Sequence, residues 1–317
     1  MQQVIETLKR AKNAVIIPHG SIDGDAVCAS LALSAFLDGY EIPHYICVEE
    51  EIPRRLQFLG GRFTAYTEEL PAVHTAIAID CGDERRLSNR LPLFMGAKVR
   101  INIDHHVTNT FFGDINYVLP TASAAAEIVT ELFLQDGAPI TKETANWMLA
   151  GMLSDTGGFR YSNTSAKTHT LAAMLMEKGA DNTQLCRAIF EQKEMGKMLL
   201  EAEVIRSATI THEGRTAIGI VTEDMLFATG TTEQDADGIS DLLRSIAGVE
   251  TAVSLRSQGN MVKLSMRTEE SVDAAALCGA LGGGGHARAA GATLAGTPEE
   301  WKDKILTQIG DAYGRHS

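Results

Sequence analysis

Carboxylates and imidazoles recur in this sequence where apolar runs stop. The first group is His19-Gly20-Ser21-Ile22-Asp23-Gly24-Asp25, directly after Ala14-Val15-Ile16-Ile17-Pro18. The second is Asp80, after Ala76-Ile77-Ala78-Ile79. The third is Asp104-His105-His106, after the alternating run Val99-Arg100-Ile101-Asn102-Ile103. The fourth is Asp155, in Ser154-Asp155-Thr156-Gly157 at the end of a helical stretch. Hard oxygen donors mixed with imidazole suit manganese, zinc or iron better than calcium. Taken singly, each group has a plainer explanation. Asp23 and Asp25 would cap the helix that follows, Asp80 and Asp155 would be turn residues, and the histidines would be solvated. Taken together, they point to a metal centre with donors enough for two ions. Two ions about 3.5–4 Å apart, bridged by one carboxylate, form a clamp for in-line displacement at phosphorus. One ion makes hydroxide from water, and both neutralise charge on the phosphate oxygens.

Such groups need rigid elements beneath them. Strands are expected at 14–17, 42–48, 76–79 and 99–103. Helices are expected at 2–12, 26–37, 123–134, 144–153 and 165–178, with Gly39 and Gly179 closing two of them. Gly24 is expected to allow a sharp turn between its two aspartates. Strands alternating with helices predict an α/β domain with a doubly wound, mainly parallel sheet. Ligands of such sheets collect beyond the carboxyl ends of the strands, where His19, Asp80 and Asp104 fall. The polar stretch 182–203 reads as a helical connector. Beyond it come strands at 204–210 and 216–221, a helix at 236–246 and a hairpin of 251–255 with 262–266. A helix at 272–281 then leads into a glycine run, and a last helix starts near Pro298. The expected organisation is a catalytic domain at 1–185, a connector at 186–203 and a smaller α+β substrate-binding domain at 204–317, with a cleft between the domains.

Composition narrows the function. A chain of 317 residues, 44% hydrophobic, can bury two cores. A net charge of −13 makes it a poor non-specific binder of long nucleic acid. A short anionic substrate can still be held by a local basic pocket or by metal ions. Five cysteines without a CxxC pair argue against a disulfide framework and a structural zinc site. No leader-like start and no bilayer-length apolar stretch is evident, so a cytoplasmic protein is expected. His44, His74, His169, His212 and His316 join no constellation and are expected to be structural or exposed.

The run Gly282-Gly283-Gly284-Gly285-His286 costs entropy in any regular element. It is expected to bring backbone close to a ligand and to aim the N–H groups of Gly283, Gly284 and Gly285 at an anion, with His286 as a further donor. A flexible hinge is the plainer alternative. Arg267 at a strand end could fork onto phosphate oxygens, and Arg288 lies just beyond the run. Arg160, close after the fourth group, could reach substrate or form a surface ion pair.

Read as a set, His19-x-x-x-Asp23-Gly24-Asp25-Ala26, Asp80, Asp104-His105-His106 and Ser154-Asp155-Thr156-Gly157 resemble the four motifs of the DHH phosphoesterases, in that family's order. Gly282-Gly283-Gly284-Gly285-His286-Ala287-Arg288-Ala289-Ala290-Gly291 resembles the signature of the DHH-associated C-terminal domain. The resemblance covers nearly the whole chain. It is nearest to the nanoRNase / pAp phosphatase type, which Ser265-Met266-Arg267-Thr268 also resembles. It implies hydrolysis of very short oligoribonucleotides and of 3'-phosphoadenosine 5'-phosphate with two divalent ions, manganese first and magnesium next. It further implies His19, Asp23 and Asp80 on one ion, and Asp25, Asp80, His105 and Asp155 on the other, with Asp80 bridging. Asp104 would orient a ligand histidine, and His106 would face the scissile phosphate. The implied partners are short oligonucleotides or small nucleotides, not long nucleic acid or membrane, and a homodimer is left open. Ser21-Ile22 stands where the subgroup commonly has Asn-Pro, and Cys28 where glycine is common; neither is a ligand position. Rival activities are a cyclic-dinucleotide phosphodiesterase, a RecJ-like exonuclease and a manganese pyrophosphatase. The acidity disfavours an exonuclease on long DNA, and the glycine-rich signature disfavours a pyrophosphatase. A non-catalytic nucleotide-binding module is the rival from another class, against which the full ligand set speaks.

Overall fold

The apolar runs that precede the chemical groups are strands of one parallel sheet. The structure, a computed structural model, describes residues 1–71 and 73–314, without the side chain of His286; His316 lies outside the described residues. The chain forms two compact units, Met1–Gln192 and Lys193–Ser317. In the first, β1 (Ala14–Pro18), β2 (His44–Val48), β3 (Phe63–Ala65), β4 (Thr75–Ile79), β5 (Val99–Asp104) and β6 (Ile115–Val118) lie in the order β3-β2-β1-β4-β5-β6. Every pairing is parallel. β1 and β4 are buried at every position, as expected of central parallel strands covered on both faces. The chain moves outward from β1 to β3, returns to place β4 beside β1, and then moves outward the other way. Strand order therefore reverses between β1 and β4, and that point of reversal is where doubly wound sheets bind ligands.

The two faces are covered unequally. Helices α1 (Gln2–Lys9) and α2 (Gly24–Gly39) belong to one face, whereas α3 (Leu91–Met95) belongs to the other. α4 (Ala125–Asp136), α5 (Lys142–Asp155) and α6 (Ala166–Glu177) complete the thick layer, packed on Ile16, Ile46, Ile77 and Ile101. The thin layer is α3 and a 3-10 segment, Glu84–Arg90, whose Phe94 and Leu87 cover Val15, Ile17, Ala76 and Ala78. α7 (Asn182–Cys186) closes this unit.

The second unit begins with α8 (Met195–Ser207), β7 (Thr209–Thr211), β8 (Thr216–Val221), α9 (Glu223–Thr229) and α10 (Ile239–Arg244). The hairpin β9 (Thr251–Gln258) and β10 (Met261–Thr268) follows, then α11 (Ala274–Ala280), β11 (Gly284–His286), β12 (Ala289–Ala295) and α12 (Pro298–Gly314). The sheet order is β11-β12-β10-β9-β8-β7, with β8–β9 its parallel pair and the other pairings antiparallel. Cys278, Ile305 and Ile309 from α11 and α12 cover Val253, Leu255, Val262 and Leu264. Leu200, Val204, Ile239 and Leu243 from α8 and α10 cover Ala217, Val221 and Ala252 on the other face. Among the described residues no helix is long and apolar enough to cross a membrane.

Three local expectations are corrected. Residues 204–207 are helical, because Leu200 and Val204 stand one turn apart and are both buried in the same core. The stretch 182–203, expected to be helical, is interrupted at 192–194. Gly24 makes no turn. It is the first residue of α2, and an added Cβ would run into Ser154 of α5. Gly151 of α5 has the same purpose: a Cβ there would meet Ala126, Asp25 Oδ1 and Cys28. The substitution Gly151→Ala should destabilise the unit by about 1–3 kcal/mol by overpacking. Urea denaturation measures it, and an unchanged midpoint would show that the three helices can move apart freely.

Candidate metal centre

Each donor group sits at the carboxyl end of a strand or helix, and hydrogen bonds to the backbone fix how each presents itself. His19 follows β1. Its Nδ1 lies 2.6 Å from the Gly20 carbonyl and so carries the proton, which turns Nε2 toward Asp23 Oδ2 and Asp80 Oδ2, each 3.5 Å away. Burial alone would lower the His19 pKa, but Asp23 and Asp80 outweigh it and raise it to about 10. Positive charge is therefore favoured at this point. Asp23 divides its carboxylate. One oxygen accepts the Ala26 N–H at 3.0 Å and caps α2, and the other faces His19. The capping and metal-binding readings of Asp23 are thus compatible.

Asp80 follows β4 with φ 54°, a left-handed conformation unusual for aspartate. Its N–H bonds the Ile103 carbonyl at 3.0 Å, so β5 holds the turn that aims it. The side chain is buried, and Oδ1 makes no hydrogen bond. Burial would raise the Asp80 pKa, but contacts with His105 and His19 hold it well below the usual carboxylate range. His105, after β5, mirrors His19: Nδ1 faces the Ala122 carbonyl at 3.3 Å, and Nε2 lies 3.4 Å from Asp80 Oδ1 and 3.7 Å from Asp155 Oδ2.

Asp25 is in the first turn of α2 and is 1% exposed. Its oxygens accept the N–H groups of Ala125 at 2.6 Å and Ala126 at 3.0 Å, the positive end of α4. Even so, burial and then the charges of Asp80 and Asp155 push its pKa well up. Asp155, the last residue of α5, is raised to about 7 by burial, with Asp80 and Asp23 adding to the shift and His105 opposing it.

These side chains form interlocking groups: His19, Asp23 and Asp80; Asp25, His105 and Asp155; and Asp80, His105 and His106. Within each, one ligand atom per residue lies within 4.8 Å of the others. The donor set fits divalent cations. Carboxylates crowd together, burial and like charge push Asp25 and Asp155 up from the usual carboxylate range, and the Asp80 carboxylate joins the first two groups, Oδ2 facing His19 and the orphaned Oδ1 facing His105.

Asp104, fully buried, stands behind this layer. Its Oδ1 is 2.7 Å from His106 Nδ1, and its Oδ2 accepts from Asn109 Nδ2 at 2.6 Å. Asp104 therefore orients His106, while the imidazoles of His19 and His105 are oriented by backbone carbonyls. Asn109 also bonds Asn102 Oδ1, the Cys81 carbonyl and the Phe111 N–H. Asn163 Nδ2 reaches the Ser123 carbonyl and Asp155. Arg86 Nη1 lies 3.4 Å from His106 Nε2. Asn109, Asn163 and Arg86 carried no sequence signal, since each depends on contacts that only the fold makes.

The expected substrate contacts fare unevenly. Arg160 folds back on the Gly157 carbonyl and lies over the Phe190 ring at 5.5 Å. Arg267 pairs with Asp241 at 3.0 Å, and Arg288 Nη1 donates to the Glu269 carbonyl at 2.6 Å. Glycine-run N–H groups are partly spent, because Gly282 bonds the Gly279 carbonyl and Gly283 the Cys278 carbonyl. Gly284 and Gly285 lie in β11, paired with β12, despite the entropy that glycine costs in a strand. Side chains at Gly283 and Gly285 would strike the β12 backbone, so close strand packing explains those two glycines. The His286 backbone is in β11, and its side chain lies outside the described residues. The described cysteines are unpaired, with Cys28, Cys47, Cys81 and Cys278 buried.

Comparison with known proteins agrees with this arrangement. Residues 13–152 match the DHH family N-terminal domain, and residues 217–314 match the DHHA1 domain. The bifunctional oligoribonuclease and PAP phosphatase NrnA of Thermus thermophilus is 32% identical over 322 residues, covering 99% of this chain and 95% of that protein. The protein of the same name from Bacillus subtilis is 25% identical, covering 97% and 96%. A crystal structure of an exopolyphosphatase-related protein from Bacteroides fragilis superposes with a TM-score of 0.91 at 25% identity, covering 99% of this chain and 97% of that one. With its donor groups in place at the strand ends and a DHHA1 domain following, the chain belongs to the DHH family of phosphoesterases.

Proposed function

We propose that this protein hydrolyses short oligoribonucleotides and 3'-phosphoadenosine 5'-phosphate with a pair of divalent cations, manganese first and magnesium next. The observation that carries this reading is the meeting of the His19-Asp23-Asp80 and Asp25-His105-Asp155 groups at the Asp80 carboxylate, whose Oδ2 faces His19 and whose orphaned Oδ1 faces His105. The NrnA relatives, matched along their length, support the choice of substrate. His19, Asp23 and Asp80 would hold one cation, and Asp25, Asp80, His105 and Asp155 the other. When bound, the pair supplies an acidified water and neutralises charge on the phosphate oxygens.

The remaining steps belong to the chain. Backbone carbonyls at Gly20 and Ala122 keep both ligand imidazoles in the tautomer that leaves Nε2 for a cation. Asp104, held by Asn109, fixes His106 through Nδ1, so that Nε2 serves the scissile phosphate or its leaving oxygen. Arg160, Arg267, Gly283, Gly284, Gly285, His286 and Arg288 remain the proposed substrate contacts. For Arg267 this means exchanging Asp241 for a phosphate. The catalytic domain at 1–185, the connector at 186–203, the substrate-binding domain at 204–317, a cytoplasmic location and a homodimer belong to the same proposal.

Incubation with manganese and, side by side, 3'-phosphoadenosine 5'-phosphate, a diribonucleotide, a cyclic dinucleotide and pyrophosphate tests it. Turnover of the first two is expected; turnover of the cyclic compound or pyrophosphate alone would replace the reading, and no product at all would favour a binding module. Asp80→Ala should reduce turnover to background while the circular dichroism spectrum is kept, and wild-type rates in that variant would remove the mechanism. Manganese should also raise the melting temperature, since a ligand at 100 times its Kd stabilises by about 2.7 kcal/mol per site. Asp80→Ala should lose most of that gain, and an unshifted wild-type melt would speak against a cation site.

A further inference from the structure

We propose that Arg86 is a phosphate-binding residue of this active site, placed beside His106 to meet the anionic substrate; the proposal rests on the phosphoesterase reading above. Arg86 lies in the 3-10 segment Glu84–Arg90, and its backbone is tied to the first donor loop. The Gly20 N–H donates to the Arg86 carbonyl at 2.7 Å. The approach is close at Gly20, where a Cβ would lie 2.9 Å from Ser88 Oγ and 3.4 Å from the Arg86 carbonyl. From this anchor beside His19 the guanidinium reaches across to His106 Nε2 at 3.4 Å. Arg86 thus links the residue after one cation ligand to the residue after another.

Its neighbours are committed elsewhere. Arg85 forks onto Asp83, Arg90 is buried against the Leu87 and Cys47 carbonyls, and Arg160 folds back on Gly157. Arg86 is exposed, and among the described residues no carboxylate lies within 4 Å of its guanidinium. Its contact with an imidazole nitrogen is a weak one for a permanent cation. A phosphate offers paired anionic oxygens that match the guanidinium fork. Charge also favours it. Asp23, Asp25, Asp80 and Asp155 formally offset the charge of two divalent cations, so a guanidinium adds to what that pair can offer an anionic phosphate.

Arg86→Gln and Arg86→Lys, made in the full chain, test this by three measurements. These are steady-state kinetics on whichever phosphoester the wild type turns over, equilibrium binding of AMP to the manganese-loaded protein, and manganese titration. Arg86→Gln should lower kcat/KM by about 10²-fold, with weaker AMP binding and unchanged manganese affinity. Arg86→Lys should recover part of both, since it restores charge without the fork. Equal AMP affinity in wild type and Arg86→Gln, or no AMP binding by wild type, would overturn the proposal. So would a loss of manganese affinity or melting temperature that tracks the loss of activity, because Arg86 would then act through the cation site or the fold. Failure of the substrate reading would show separately, as absent turnover in a wild type whose AMP binding still depends on Arg86.

Discussion

Asp80 sets the terms for the rest of the first unit. It is a buried carboxylate in a left-handed turn at the point where strand order reverses, with one oxygen lacking any hydrogen bond. Asp23, Asp25 and Asp155 converge on it, and the burial of Asp25 and Asp80 strengthens the repulsion among them. A site of this kind persists only if the scaffold is stiff enough to hold it. Here the stiffness comes from β1 and β4, buried along their length, and from α2, α4 and α5, brought close by Gly24 and Gly151. Local strain is concentrated where chemistry is expected and is compensated by the packing around it.

The backbone does much of the electrostatic work. Carbonyls fix the tautomers of His19 and His105, and the N-terminus of α4 faces Asp25. Neither device depends on a side chain that could be recognised by type. They explain how candidate donors separated by more than a hundred residues are held already oriented in the fold.

The fold class and the donor set were legible because both leave strong marks. Continuous apolar runs ending in Asp or His announce parallel strands with polar groups at their carboxyl ends, and His19, Asp80 and His105 are such cases. β3 and β6 were missed because they are short edge strands of three and four residues, too brief for any periodicity. Residues 204–207 were misread because Val204 and Ile205 suit a strand by propensity, and burial beside Leu200 overrode it. The glycine run was read for its backbone freedom, whereas Gly283 and Gly285 are required by contact with β12, a partner the sequence does not reveal. Arg86 and Asn109 were invisible for a related reason: their neighbours are distant in sequence or set by a turn.

Asp25 has one more consequence. Its carboxylate clasps the start of α4 to the start of α2 while facing the centre. Whatever occupies the centre therefore also draws on the bond that joins those two helices. Filling or emptying it should be felt along α4 as a change in how tightly its first turn is held. The amide protons of Ala125 and Ala126 are in effect a built-in gauge of occupancy, buried beneath the chemistry rather than exposed to it.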